Sequence, residues 1–441
     1  MKKYLIISLA AMAVLASSCG EDDFYYGKEV NPDPNAYLQT PYKINWKAAA
    51  DSTSFEFIKQ FYCVLQNDAY RYNGVFSYTE YNSRADNFNN YWQQAHAMEV
   101  MIEFYNRLKA GQTTEVLTTM NANPNVSLPE DTSAEIKQSR LKDQITLATI
   151  EGYFAKWFAK HGNNYDGGYA GASGFGNNFT DDTAWIVQTL SELYDATGDV
   201  KYYKAAKQTY DDTIWPRWDY VNGGLPWKAD NGSKNECTNG PACINACRLA
   251  LYAQANGEEA DYEKYKAQAI LIFDFLSSSL FVATTGQVGV GPLSYTQGTF
   301  MEAGRLLYQM TSNKEYLRDA AKAARFQMTA PSMLTAGLMR DEGADENNSI
   351  FKGVLFHYAK NFILDPNFDK VDASVRSDLK NFVTYHANCA WTVGVDKTTW
   401  PNSYFDVYYK VRRSAFGGSQ GAQASACTAI EAMTQIENVK F

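Results

Sequence analysis

The sequence predicts an all-α protein, specifically an (α/α)6 barrel, a toroid of helical hairpins. Three observations predict it. Long helical periodicities run along the chain, whereas series of alternating valine-rich runs bounded by Asn-Gly turns are missing. Three stretches resemble one another: LSELYDATGDVKYYKAAK at 190–207, ALYAQANGEEADYEKYKAQA at 250–269 and LLYQMTSNKEYLRDAAKAA at 306–324. Their spacing is regular, with 58 residues from Tyr194 to Tyr252 and 56 from Tyr252 to Tyr308. The repeat is therefore one helical hairpin of about 57 residues, and six of them fit within residues 43–441. An open solenoid is the alternative. It requires polar capping repeats at both ends, and none is recognisable.

Taken in order, the first 18 residues read as an export signal. Lys2 and Lys3 precede an apolar run from Tyr4 to Leu15, too short for a comfortable membrane span. Ala16, Ser17 and Ser18 then lead to Cys19, and this resembles the lipobox of bacterial lipoproteins, which implies lipidation of Cys19. The following Gly20-Glu21-Asp22-Asp23 resembles the acidic export tag of surface lipoproteins in the Bacteroidota. An outer-membrane lipoprotein displayed on the cell surface is the expectation, with the periplasmic face as the alternative. Residues 19–42, with Asn31-Pro32-Asp33-Pro34, read as an extended tether, and 43–441 as a single domain. Trp92, Ala95, His96, Glu99, Val100, Glu103 and Phe104 mark a helix that stops at Gly111. In the three repeats Gly198, Gly257 and Asn313 are expected to supply left-handed caps. Gly417 to Met433, small and helix-forming, is expected to be the inner helix that closes the ring.

Composition narrows the function. With 40 Lys plus Arg against 49 Asp plus Glu and no basic block, nucleic acid is excluded as a partner, and membrane contact is expected only through the lipid anchor. The 64 aromatic residues stand against four histidines, so carboxylates rather than imidazoles are the better candidates for chemistry. His96 reads as a satisfied interior residue, and His161, His357 and His386 have no evident partners. Cys237, Cys243 and Cys247 match no common zinc spacing, and DEGADENN at 341–348 lacks the spacing of an EF-hand. No metal or cofactor is expected. The remaining cysteines read as buried thiols or one local disulfide.

The candidate site lies in the glycine- and asparagine-rich stretch 163–190, which ends in Asp181-Asp182 at a helix start. Helix-terminal amides favour ionisation of the closer carboxylate, and repulsion pushes its neighbour toward keeping a proton. One anionic and one protonated carboxyl is what hydrolysis of a glycosidic bond requires. Asp-Asp-Thr-x-Trp recurs at Asp211-Asp212, but there it falls at a helix C-terminus, where the dipole opposes carboxylates.

FTDDTAW resembles the adjacent-aspartate signature of glycoside hydrolase family 76, the bacterial and fungal endo-α-1,6-mannanases. Asn222-Gly223-Gly224-Leu225-Pro226-Trp227, Ser294-Tyr295-Thr296-Gln297-Gly298 and Phe351-Lys352-Gly353 are similar to further family segments. The resemblance implies an (α/α)6 barrel and retaining cleavage of internal α-1,6-mannosidic bonds in a mannan backbone, with Asp181 as nucleophile and Asp182 as acid/base. It makes Trp185, Trp227, Tyr295 and Gln297 the candidate sugar contacts. Trp157, Trp215 and Trp391 read as core. A monomer acting on a polysaccharide is expected. The rivals are a surface glycan-binding lipoprotein without catalysis and another (α/α)6 carbohydrate-active enzyme.

Overall fold

The computed structural model describes residues 43–62, 74–76, 91–122, 144–162, 174–345, 347–396, 404–409 and 419–441. The signal segment 1–18, Cys19, the tether to 42, Cys63 and the start of the glycine-rich loop lie outside the described residues. The helices are α1 (Trp46–Phe61), α2 (Tyr91–Lys109), α3 (Glu115–Ala122), α4 (Leu147–His161), α5 (Thr180–Thr197), α6 (Val200–Thr209) and α7 (Glu236–Ala255). They continue with α8 (Glu259–Ser279), α9 (Ser294–Thr311), α10 (Lys314–Thr329), α11 (Phe351–Leu364), α12 (Val375–Cys389) and α13 (Gln420–Ile436).

Six of these form a closed inner ring. Helix α2 packs on α5, α5 on α7, α7 on α9, α9 on α11, α11 on α13, and α13 returns to α2. Around them α4, α6, α8, α10 and α12 pack on α2, α5, α7, α9 and α11, and α1 completes the outer layer against α13. The (α/α)6 barrel is thus the observed fold, and the C-terminal helix does close the ring. Sequence separates the two layers. Outer helix α10 buries one stripe, Leu317, Ala320, Ala321 and Ala324, at helical spacing. Inner helix α13 is buried on all sides from Gln420 to Thr434, and its many Ala, Ser and Gly residues let neighbours approach closely.

The ring closes on charge rather than on oil. Arg107 of α2 donates from Nε to Glu431 Oε2 of α13 (2.9 Å) and from Nη1 to Asp51 of α1. All three side chains are buried, so both carboxylates depend on the one guanidinium. Further along the barrel, His357 of α11 lies between Glu99 of α2 (2.6 Å) and Glu192 of α5 (3.3 Å). Burial opposes its charge, but the two carboxylates win and push the imidazole up to about 10. His357, without evident partners in sequence, is in fact the centre of a buried ionic group.

In the three repeats, α5–α6, α7–α8 and α9–α10, the inner-to-outer connections are tight turns. Gly198 is left-handed at the end of α5 (φ 73°), as predicted. In the third repeat Ser312 takes the left-handed position (φ 57°), and Asn313 instead caps the start of α10 by accepting from Glu315 N. Outer-to-inner connections are longer and carry small two-stranded hairpins: β1 (Pro226–Lys228) with β2 (Asn231–Lys234), and β3 (Phe281–Val282) with β4 (Gln287–Val288). Two more follow, β5 (Leu334–Thr335) with β6 (Leu338–Met339) and β7 (Val395–Asp396) with β8 (Tyr404–Phe405). All four gather at the end of the barrel where the inner helices begin, and that end holds the groove.

Candidate active site

A cavity of about 500 Å³ opens at the N-termini of the inner helices, lined by residues that include Trp92, Asp181, Asp182, Trp227, Cys237 and Phe351. Asp181 and Asp182 occupy the first turn of α5. The turn before them is fixed by side chains. Asn177 Oδ1 accepts from Phe179 N (2.7 Å), and Thr183 Oγ1 donates back to Phe179 O (3.0 Å). The N-cap itself is Phe179, which has no side-chain cap bond, so neither Thr180 nor Asp181 caps this helix.

Asp181 Oδ2 accepts from Trp227 Nε1 (3.0 Å) and from the Cys237 thiol (3.6 Å). Its Oδ1 is buried without a well-aligned hydrogen bond. Burial is the largest influence on this carboxyl and pushes it up to about 6; the Trp227 N–H, the Asp182 amide and the Cys237 thiol pull the other way. The helix-end argument alone predicts a low value for the leading aspartate. Desolvation outweighs it here.

Aromatic rings form the wall and floor. Tyr295 stacks on Phe351 with centroids 4.4 Å apart, and Trp92 lies 6.1 Å from Phe351 and 6.2 Å from Trp185. Trp92 is half-buried and donates from Nε1 to Asn347 Oδ1 (2.9 Å), tying α2 to the loop before α11. Trp185 is 2% exposed and meets His96 edge-on at 4.6 Å, so it supports the floor and presents little face of its own.

Asp181, Asp182, Trp185, Trp227 and Tyr295 are therefore brought together. Trp227, expected as a stacking platform, has its polar edge committed to Asp181. Gln297 is a correction. It is fully buried, with its amide against the backbone of Gly286 and Val288, and it braces the β3–β4 hairpin instead of lining the groove. Sequence reasoning missed Trp92, Asn347, Cys237 and Phe351. In sequence Trp92 stands in a helical pattern that reads as core, and Phe351 is visible only as part of its motif. The remaining sequence readings also resolve. Asp211 pairs with Lys264 (2.8 Å) and Tyr265 (2.7 Å) on an outer helix, away from the groove. Among the described residues Cys237, Cys243, Cys247 and Cys427 are free thiols. Glu342, in the acidic string, caps α9 by accepting from Ser294 N (2.8 Å) and Oγ (2.5 Å).

A closed (α/α)6 ring with two carboxyls and a belt of aromatic rings at its mouth defines a carbohydrate-active hydrolase scaffold. The model of Glycosyl hydrolase family 76 matches residues 45–438, and the chain belongs to that family of glycoside hydrolases. Among solved structures it is similar to an inactive variant of the α-1,6-mannanase of Salegentibacter sp. HEL1_6, with two consecutive aspartates replaced, in complex with α-1,6-mannotriose. That match has 22% identity and a TM-score of 0.66 and covers 89% of this chain and 100% of that one. It is also similar to a family 76 glycoside hydrolase (mannosidase) from Bacteroides thetaiotaomicron, with 15% identity, TM-score 0.60 and coverage of 88% and 98%. A third is Dfg5 from Chaetomium thermophilum in complex with glucosamine, with 13% identity, TM-score 0.60 and coverage of 91% and 93%. No curated protein sequence matches the chain.

Proposed function

We propose that this chain cleaves internal α-1,6-mannosidic bonds of a mannan backbone with retention of configuration. The observation that carries the reading is the state of Asp181. One oxygen is held by Trp227 and Cys237 while the other has no well-aligned bond, and Asp182 stands beside it in the same groove. In the first step an Asp181 oxygen bonds the anomeric carbon as the glycosidic C–O bond breaks, and Asp182 gives its proton to the leaving oxygen. Water then bonds the anomeric carbon, Asp182 takes its proton, and the ester to Asp181 breaks. The mannotriose-bound Salegentibacter enzyme, inactivated at two consecutive aspartates, supports both the substrate class and the pair.

Incubation of purified protein with debranched α-1,6-mannan tests this directly. Internal cleavage releases new reducing ends together with a rapid fall in chain length. Asp181→Asn lowers the rate by at least about three orders of magnitude. Binding without products from the wild type would sink the enzyme reading in favour of a glycan-binding protein. Full activity in Asp181→Asn would sink only the assignment of the nucleophile.

A further inference from the structure

We propose that Arg217 is the positioning residue of the carboxylate pair: its guanidinium grips the residues preceding Asp181 and sets where that carboxyl sits. The inference rests on the reading of Asp181 as the reacting group.

Arg217 ends a short 3-10 turn, Trp215–Arg217, beyond α6. Its Nη1 donates to Asn178 O (2.9 Å) and Thr180 Oγ1 (2.9 Å), and its Nη2 donates to Asn177 O (2.8 Å). Three acceptors from four consecutive residues meet one planar fork, a geometry an ammonium point charge does not reproduce. The need for such a grip is local. Helix α5 starts without a side-chain cap at Phe179; Asn177 and Thr183 tie this turn to α5 itself, and Arg217 ties it to the chain beyond α6. Asn177 is buried, and its carbonyl loses a partner if the guanidinium is removed.

The same grip reaches the second half of the site. Asn178 O also accepts from Ala229 N (3.1 Å), and Phe179 bridges to Lys228. Ala229 directly follows β1, the strand that carries Trp227. Arg217 thus locks the aspartate segment against the strand whose indole holds Asp181 Oδ2. A shift of about 1 Å in such an arrangement costs on the order of 100-fold in rate.

Hydrogen exchange and turnover of debranched α-1,6-mannan are compared for wild type, Arg217→Ala and Arg217→Lys. In Arg217→Ala, amides of 178–184 exchange at least about tenfold faster while α9 to α11 are unchanged, and kcat falls roughly 10–100-fold with KM within about threefold. Arg217→Lys recovers part of the rate. Added guanidinium ion raises turnover of Arg217→Ala and not of the wild type. Unchanged exchange at 178–184 overturns the proposal. So does faster exchange throughout the chain without guanidinium rescue, which makes Arg217 merely structural. If the wild type releases no product, the mannanase reading fails, and the exchange measurements alone still decide the role of Arg217.

Discussion

Asp181 is the residue at which stability and chemistry pull apart. Its carboxyl is pushed up to about 6 in the folded protein, against an ordinary value of 3.8, because burial removes water from the anion. A folded value above the unfolded one means that the native state binds the proton more readily. The penalty for ionising it is absent below pH 4 and complete above about pH 6. Asp181→Asn is therefore expected to raise stability at pH 7 by roughly 1–3 kcal/mol, seen as a higher thermal midpoint, while removing activity. The gain should vanish near pH 4, and calorimetry at the two pH values reads the difference. On the proposed mechanism activity has the opposite sign: the nucleophile must be ionised, so kcat/KM is expected to fall as pH drops through about 6. The groups facing this carboxyl are Asp182 on its own helix, Trp227 from β1, and Cys237 and Tyr295 from α7 and α9. Trp227→Phe deletes an N–H that favours the anion, and the acid limb of the profile should move upward by about half a unit or more. An unmoved limb means that the limb reports another group.

At the scale of elements, all six inner helices point their N-termini at the groove, and their free amides and dipoles favour negative charge there. Asp181, Asp182 and Glu342, which caps α9, all lie at such starts. Helix spacing in the ring depends on small residues. Gly353 lies where a Cβ would come 2.9 Å from Ser425 Cα, and its N–H donates to Ser425 Oγ (3.2 Å). The Phe351-Lys352-Gly353 motif thus divides its work. Phe351 faces the groove, Lys352 Nζ donates to Val407 O (2.7 Å), and Gly353 lets α11 meet α13. Gly353→Ala is expected to cost about 1–3 kcal/mol, since backbone must yield to the new methyl. Denaturant titration measures it, and a loss under about 0.5 kcal/mol would show that the ring relaxes freely. Three hairpins were legible from their Leu-Tyr ends because helix period and cap residues are local properties. Hairpins β1 to β8 were not. They are two to four residues long, and their pairing comes from the loops they brace.

The whole molecule is a ring whose ends in sequence meet in space. Helix α1 packs on α13, and Arg107 joins both to α2 through Asp51 and Glu431. The barrel is thereby closed by the first and last helices, and an incomplete chain would leave buried charges unpaired at the seam. Attachment of this ring to a membrane belongs to the proposal read from Cys19, since no described helix is long and apolar enough to cross one. In a bacterial host supplied with labelled fatty acid, the full chain is expected to carry label and sediment with membranes, and Cys19→Ala to lose both. A wild type that stays unlabelled and soluble removes the anchor.

Sequence by itself determined the helical repeat, the toroid and the aspartate pair, because periodicity, caps and a Gly-rich loop ending at a helix start are written within short windows. Tertiary structure alone decided the rest. It decided that Trp227 binds a carboxylate, that Gln297 braces a hairpin, that two carboxylates flank His357 and that Arg217 holds the segment before Asp181. Trp227, His357 and Arg217 each meet their partners across tens of residues or more, and Gln297 is buried against a hairpin that precedes its own helix. The surplus of aromatics divides in the same way: most pack between helices, and the few that line the groove are chosen by the closure of the ring.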